Sequence, residues 1–260
     1  MQSRAWLNRV LGIALILLLA MLSEVPLLAA TAKDNSGQKV DSGSFGIFMN
    51  GTRIATETFS IYQNSLGSSI SSEFKTEAGA EKAAQNSYLE LTAAGELKSY
   101  EWKEISPGQS QASVVPSQDF LTERFTKTPT DKPQEQPFLL PVSTSILDDY
   151  FLIQREVLAW KFLATSCKQE KGQISCPMKQ SVQLGTLNPH IRQSMLVNVQ
   201  YSGREKIQLH GADQELIRLD MKTEAGDWAL WLDDGLKVQR ILDPASNTEI
   251  LRDQVAIGSH

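Results

Sequence analysis

Histidine is scarce in this chain, with only cysteine rarer. It stands only at positions 190, 210 and 260, the last of these the terminal residue. His190 and His210 fall on different predicted strands, with no carboxylate or cysteine partner at ligand spacing, so no ordinary zinc site is expected. Cysteine occurs twice, at 167 and 176, and Cys-x8-Cys is poor metal spacing. Gly-x-Ser-x-Gly, His-Glu-x-x-His, P-loop and dinucleotide glycine patterns are all missing. Two adjacent acidic pairs remain, Asp148-Asp149 and Asp233-Asp234. Neighbours diverge by about 100° on a helix and are solvated in a turn, so neither pair sets a general acid against a general base. The expectation is a protein that is not an enzyme and carries no cofactor or metal. The net charge of −5 argues against a nucleic-acid surface, which would be basic.

Beyond the N-terminus no apolar run approaches the roughly 20 residues of a membrane-spanning helix. The N-terminus itself reads as an export signal over residues 1–32. Arg4 and Arg9 precede the apolar run 10–22, Ser23, Glu24 and Pro26 interrupt it, and Ala30-Thr31-Ala32 offers a small-x-small cleavage site. An uncleaved anchor is the alternative, for which the run is short. Export points to the periplasm or the exterior, an oxidising compartment, and predicts a Cys167–Cys176 disulfide. Residues 33–44 are polar and read as a flexible arm; residues 45–260 read as one domain.

That domain is mostly strand and turn. Phe45-Gly46-Ile47-Phe48-Met49 runs into Asn50-Gly51, and residues 53–62 lead away. Asn-Gly between two such runs is a strong hairpin signal, because both turn positions need φ > 0. Further strands are predicted at 68–76, 86–92 and 97–105. Prolines punctuate 106–141, which suits short or edge strands around a loop at 128–136. After the cysteines come strands at 178–184, 191–201, 205–210 and 215–223. In the last hairpin Trp228, Leu230 and Leu232 face one way, Ala229 and Trp231 the other, before an Asp233-Asp234-Gly235 turn.

One stretch is helical. Over 145–163, SILDDYFLIQREVLAWKFL, Ile146, Tyr150, Ile153, Val157 and Trp160 share one side at 100° per residue. Asp148, Asp149, Arg155 and Glu156 lie opposite, and Ser143, Thr144 or Ser145 can supply the N-cap. Gln154 and Lys161 intrude on the apolar arc. Gln154 is expected to bond a sheet carbonyl and Lys161 to snorkel outward at the helix end. The Tyr150–Val157–Trp160 side is expected against the concave face of the sheet.

The segment WALWLDDGLKVQRILDPASNTEILR, residues 228–252, resembles the C-terminal hairpin of a group of uncharacterised exported bacterial proteins. The opening around Asn50-Gly51 and Glu57, and the Leu147-Asp148-Asp149 helix start, are similar to that group too. The resemblance implies a mainly β fold: a curved antiparallel sheet (half-barrel or β-clam) with one amphipathic helix on its concave face. That architecture is similar to periplasmic lipoprotein and glycolipid carriers; no catalytic residues come with it.

Three functions then compete. The first is a periplasmic carrier of an acyl-chain or glycolipid ligand, held by Tyr150, Ile153, Val157 and Trp160 with Gln154 and Lys161 as polar handles. The second is an interaction protein of the envelope with a filled core, partnered by a membrane or envelope protein. The third is an unrecognised hydrolase, for which a Ser or Asp hydrogen-bonded to His190 or His210 in a cleft would speak. N-terminal sequencing of the exported form is expected to begin at Lys33; the intact chain in the membrane fraction would indicate an anchor instead.

Overall fold

The computed structural model describes residues 37–77, 82–170, 173–224 and 226–254. The leader expected over 1–32 lies outside them.

Asn50 and Gly51, at φ 51° and 77°, make the tight turn their sequence announces. They join β1 (Gln38–Met49) to β2 (Thr52–Asn64), the first hairpin of a long meander. It continues through β3 (Gly67–Thr76), β4 (Ala84–Thr92), β5 (Leu97–Ser106), β6 (Gln111–Ser117), β7 (Phe120–Thr126) and β8 (Gln134–Phe138), each antiparallel to the one before. A second meander comprises β12 (Ser181–Asn188), β13 (Gln193–Leu209), β14 (Ala212–Thr223), β15 (Gly226–Leu232), β16 (Val238–Asp243) and β17 (Thr248–Arg252). The two halves meet where β17 pairs with β1, Phe45 opposite Arg252 and Ile47 opposite Ile250. A two-residue strand, β9 (Ser145–Ile146), adds in parallel to β12. The result is one fifteen-stranded sheet, with β8 and β9 at the ends of the strand order. Among the described residues it does not close into a barrel. Apart from it, β10 (Lys168–Glu170) and β11 (Gln173–Ser175) form a small hairpin, spanned by the expected Cys167–Cys176 disulfide.

Several boundaries differ from the sequence reading, and β8 begins at Gln134, inside the loop expected over 128–136. β1 starts at Gln38, inside the stretch expected to be an arm. The strand expected at 178–184 runs 181–188. The strands expected at 191–201 and 205–210 are one strand, β13. A register shift between Tyr201 and Gly203, with Gly203 at φ 105°, absorbs the break in alternation.

The larger correction concerns the helix. It spans Ile153–Ser166, α1, instead of 145–163. Ser145 and Ile146 are taken by β12, and Leu147 N–H also donates to Leu187 O at 3.0 Å. The first turn begins only where an acceptor for its free N–H groups exists. No local serine or threonine supplies it. Glu57 on β2 does: its carboxylate accepts from Leu152 N–H at 2.7 Å and Ile153 N–H at 3.2 Å, and from the Ser72 hydroxyl at 2.6 Å.

Of the polar face expected on the helix, only Asp149 is exposed. Asp148, Arg155 and Glu156 are all buried. Arg155 donates to Asp148 O at 3.1 Å and lies 4.3 Å over the Trp228 ring. Glu156 accepts from Val238 N–H at 2.6 Å and Arg252 Nη2 at 2.8 Å. Arg252 also reaches Asp41 on β1 at 2.8 Å, and Lys237 meets Asp41 at 2.9 Å. This network ties α1 to the seam between β1 and β17.

One apolar cluster takes in Phe151, Leu158, Ala159, Phe162 and Leu163 together with the inward positions of both meanders, such as Phe59 and Ile61 on β2 and Val197 and Val199 on β13. A smaller cluster of Leu209, Leu216 and Trp231 is separate from it. There Arg218 and Arg240 cover the Trp231 ring at 5.4 and 4.9 Å, and its indole N–H donates to Glu205 at 2.9 Å.

Removing one partner of a buried ion network strands the others. Arg252→Met is therefore expected to cost about 3–5 kcal/mol in urea unfolding. Combined with Glu156→Gln it should cost less than the two separate losses added together.

Candidate functional site

Two places in the fold gather chemistry. The first surrounds His190, in the connection between β12 and β13. The fold supplies the carboxylate that its neighbours in sequence do not: Nδ1 lies 2.6 Å from Asp148 Oδ2, and Nε2 lies 2.7 Å from Gln85 Oε1. The Tyr100 hydroxyl donates to the same Asp148 oxygen at 2.7 Å. The imidazole stacks on Trp102 at 4.0 Å between centroids, with Tyr150 4.7 Å away. The expectation of two unpartnered histidines is thus corrected for His190. His210 is exposed and faces Arg252 O at 3.0 Å.

An Asp–His contact is half of what a hydrolase would need. The other half is a ring nitrogen free to take a proton from a nucleophile, and Gln85 occupies it. The group works as a clasp, fastening the β12–β13 connection and the start of α1 to β4 and β5.

Beside it, Glu123 on β7 is 1% exposed, and neither carboxylate oxygen has a hydrogen bond among the described residues. Burial pushes its pKa up to about 7, against the pull of the Arg192 guanidinium. Glu57 is also raised to about 7 by burial, although three donors hold its charged form. Burial likewise raises Glu156, against Arg252. Burial pulls Asp41 the same way, but hydrogen bonds to Arg252, Glu156 and Lys237 outweigh it and keep Asp41 below the usual range.

The second place is a cleft of about 320 Å³ between α1 and the sheet. Leu89 and Leu91 of β4 and the following turn, Ala93-Ala94-Gly95, form one wall; Val157, Leu158 and Ala164 of α1 form the other. Ile146 of β9 and Trp160 also line it. Of the six residues expected to hold a ligand, Gln154, Val157, Trp160 and Lys161 are brought together here. The other two are not: Ile153 is fully buried at the helix start, and Tyr150 packs edge-on against Phe74 at 5.3 Å.

Val157 and Trp160 are only partly buried: they pack against the apolar core as expected and also line the cleft. Trp160 is steadied by its indole N–H, which donates to Leu236 O at 2.6 Å. Gln154 does not bond a sheet carbonyl. Its Oε1 accepts from Asp148 N–H at 2.7 Å, which fixes the orientation of the amide. Its NH2 bears on the Tyr100 hydroxyl without the geometry of a hydrogen bond. Lys161 curls back to donate to Ser143 O and, at 3.2 Å, to Ser145 Oγ. Burial lowers its pKa.

No group of three or more histidine, cysteine or carboxylate side chains among the described residues could hold a metal. No helix among them is long and apolar enough to cross a membrane. Compared with protein-family models, curated proteins and solved structures, the chain matches none.

The sign of the Glu123 shift sets a pH dependence. The folded chain keeps that proton up to about pH 7, whereas an unfolded glutamate releases it near 4.3. The native state therefore binds more protons in that window, and stability falls as pH rises through it. Glu123→Gln is expected to gain about 2–3 kcal/mol in urea unfolding at pH 8 and little at pH 4. An equal effect at both pH values would mean that Glu123 does not titrate there.

Proposed function

We propose that this chain is a periplasmic, non-enzymatic binding module for an apolar ligand of the acyl-chain type, its sheet curved as a half-barrel or β-clam around α1. The observation that carries this reading is the cleft. Between α1 and β4 lies a space of about 320 Å³ with a largely apolar lining, within the range of about 300–1,000 Å³ of small-molecule sites. Its few polar groups sit among apolar side chains, the usual composition of such pockets. The export signal read in the sequence and the disulfide both suit a periplasmic setting.

The competing reading is an envelope scaffold whose helix is only a structural brace. The ion network around Arg252 favours a permanently docked helix, but a docked helix and a ligand cleft are compatible, because the network lies at the β1–β17 seam and the cleft at β4.

Val157→Trp places an indole in the cleft. Delipidated wild-type protein is expected to bind a fluorescent fatty-acid probe saturably at micromolar concentration. Val157→Trp should lose that binding at least tenfold while its circular dichroism and unfolding midpoint stay near wild type. Absence of saturable binding by the wild type would leave the scaffold reading in its place.

A further inference from the structure

We propose that the cleft selects a linear monocarboxylate, its chain running between Val157 and Leu89 and its carboxylate beside Lys161. This rests on the reading of the cleft as a ligand site and narrows it to one chemical class.

The first argument is charge. Lys161 lines the cleft and its oxygen partners are neutral, the Ser143 carbonyl and the Ser145 hydroxyl. No carboxylate among the described residues lies within ion-pair distance of it. Burial works against its charge, and Glu96, on the turn between β4 and β5, is the one anion with a resolved pull on it. A half-buried ammonium without a counter-ion, at the rim of an apolar space, is complementary to a single negative charge. It is also a point charge, suited to a monoanion; phosphate sites more often employ the fork of an arginine.

The second argument is the sign of the remaining groups. No aspartate or glutamate lines the cleft; the anion with a resolved pull on Lys161 is Glu96, on the adjoining turn. The Gln154 amide turns its acceptor end to Asp148 N–H, and the end left without a hydrogen bond is a donor.

The third argument is size. About 320 Å³ is at the low end of the roughly 300–1,000 Å³ of small-molecule sites, which suits a single medium-length chain better than the several chains of a glycolipid.

The test is isothermal calorimetry with decanoate and decan-1-ol at pH 7.5, below their aggregation limits, on wild type, Lys161→Met, Lys161→Gln and Val157→Trp, with circular dichroism to confirm each fold. Wild type is expected to bind decanoate at least tenfold more tightly than decanol. Both Lys161 variants should lose that preference while still binding decanol, and Val157→Trp should bind neither. Equal affinity of wild type for acid and alcohol, or a preference that survives in the Lys161 variants, overturns the carboxylate assignment and leaves the apolar cleft standing. Wild type that binds neither compound, or Val157→Trp that binds both as before, overturns the assignment and the cleft reading together.

Discussion

A helix whose first N–H groups are sealed from water must find an acceptor inside the protein, and α1 finds it on a strand 95 residues away. The Glu57 carboxylate, itself steadied by Ser72, takes the place of a local cap. Much of the domain follows from that contact. It sets where the helix begins and which of its sides turns to β2, and it requires the preceding segment to leave the helical path. That segment is held in turn by Asp148, which receives Tyr100 and Tyr150 N–H and faces His190. One turn further on, Glu156 repeats the arrangement with Arg252. Three carboxylates on successive levels therefore dock the helix, while the apolar side chains between them supply the burial. Hydrophobic contact is not directional; these hydrogen bonds give the helix its register.

This explains what could be read from the sequence and what could not. The hairpin at Asn50-Gly51 was legible because the turn chemistry is local: the residues needing positive φ are those that tolerate it. The turn at Asp233-Asp234-Gly235 was legible too, but there the positive φ, 61°, falls on Leu236. The disulfide was legible because only two cysteines exist and they are close together. The alternation of Leu230 and Leu232 against Trp231 appears as read, the leucines in the larger cluster and Trp231 in the smaller, since successive strand residues point to opposite faces.

The helix start was not legible. The 3.6-residue periodicity really does extend back to Ile146, and nothing nearby marks Ile153 as the beginning. The deciding groups, Glu57 and the β12 edge, are distant in the chain. For the same reason Arg155 and Glu156 read as solvent-facing, because charges normally are; the distant partners that hold them inside, the Trp228 ring for Arg155 and Arg252 for Glu156, lie far along the chain. The candidate site was legible in part. Gln154, Val157, Trp160 and Lys161 share the cleft because they share a helix. The opposite wall from β4 could not be assigned without knowing which strands the helix crosses. The His190 clasp joins three segments distant in sequence, and no local spacing announces it.

The pairing of β1 with β17 has a consequence for how the chain is made. The strand that joins the two meanders, β17, and the arginine that meets both Asp41 and Glu156 are synthesised after every other described strand of the sheet. Until they arrive, two buried acids face each other without the guanidinium between them, and the two meanders have no shared edge. The domain therefore cannot mature piecemeal from its N-terminus. A chain that stops before β17 lacks the Arg252 clamp on α1 as well as the strand that pairs with β1, so one truncation releases the helix and the seam together.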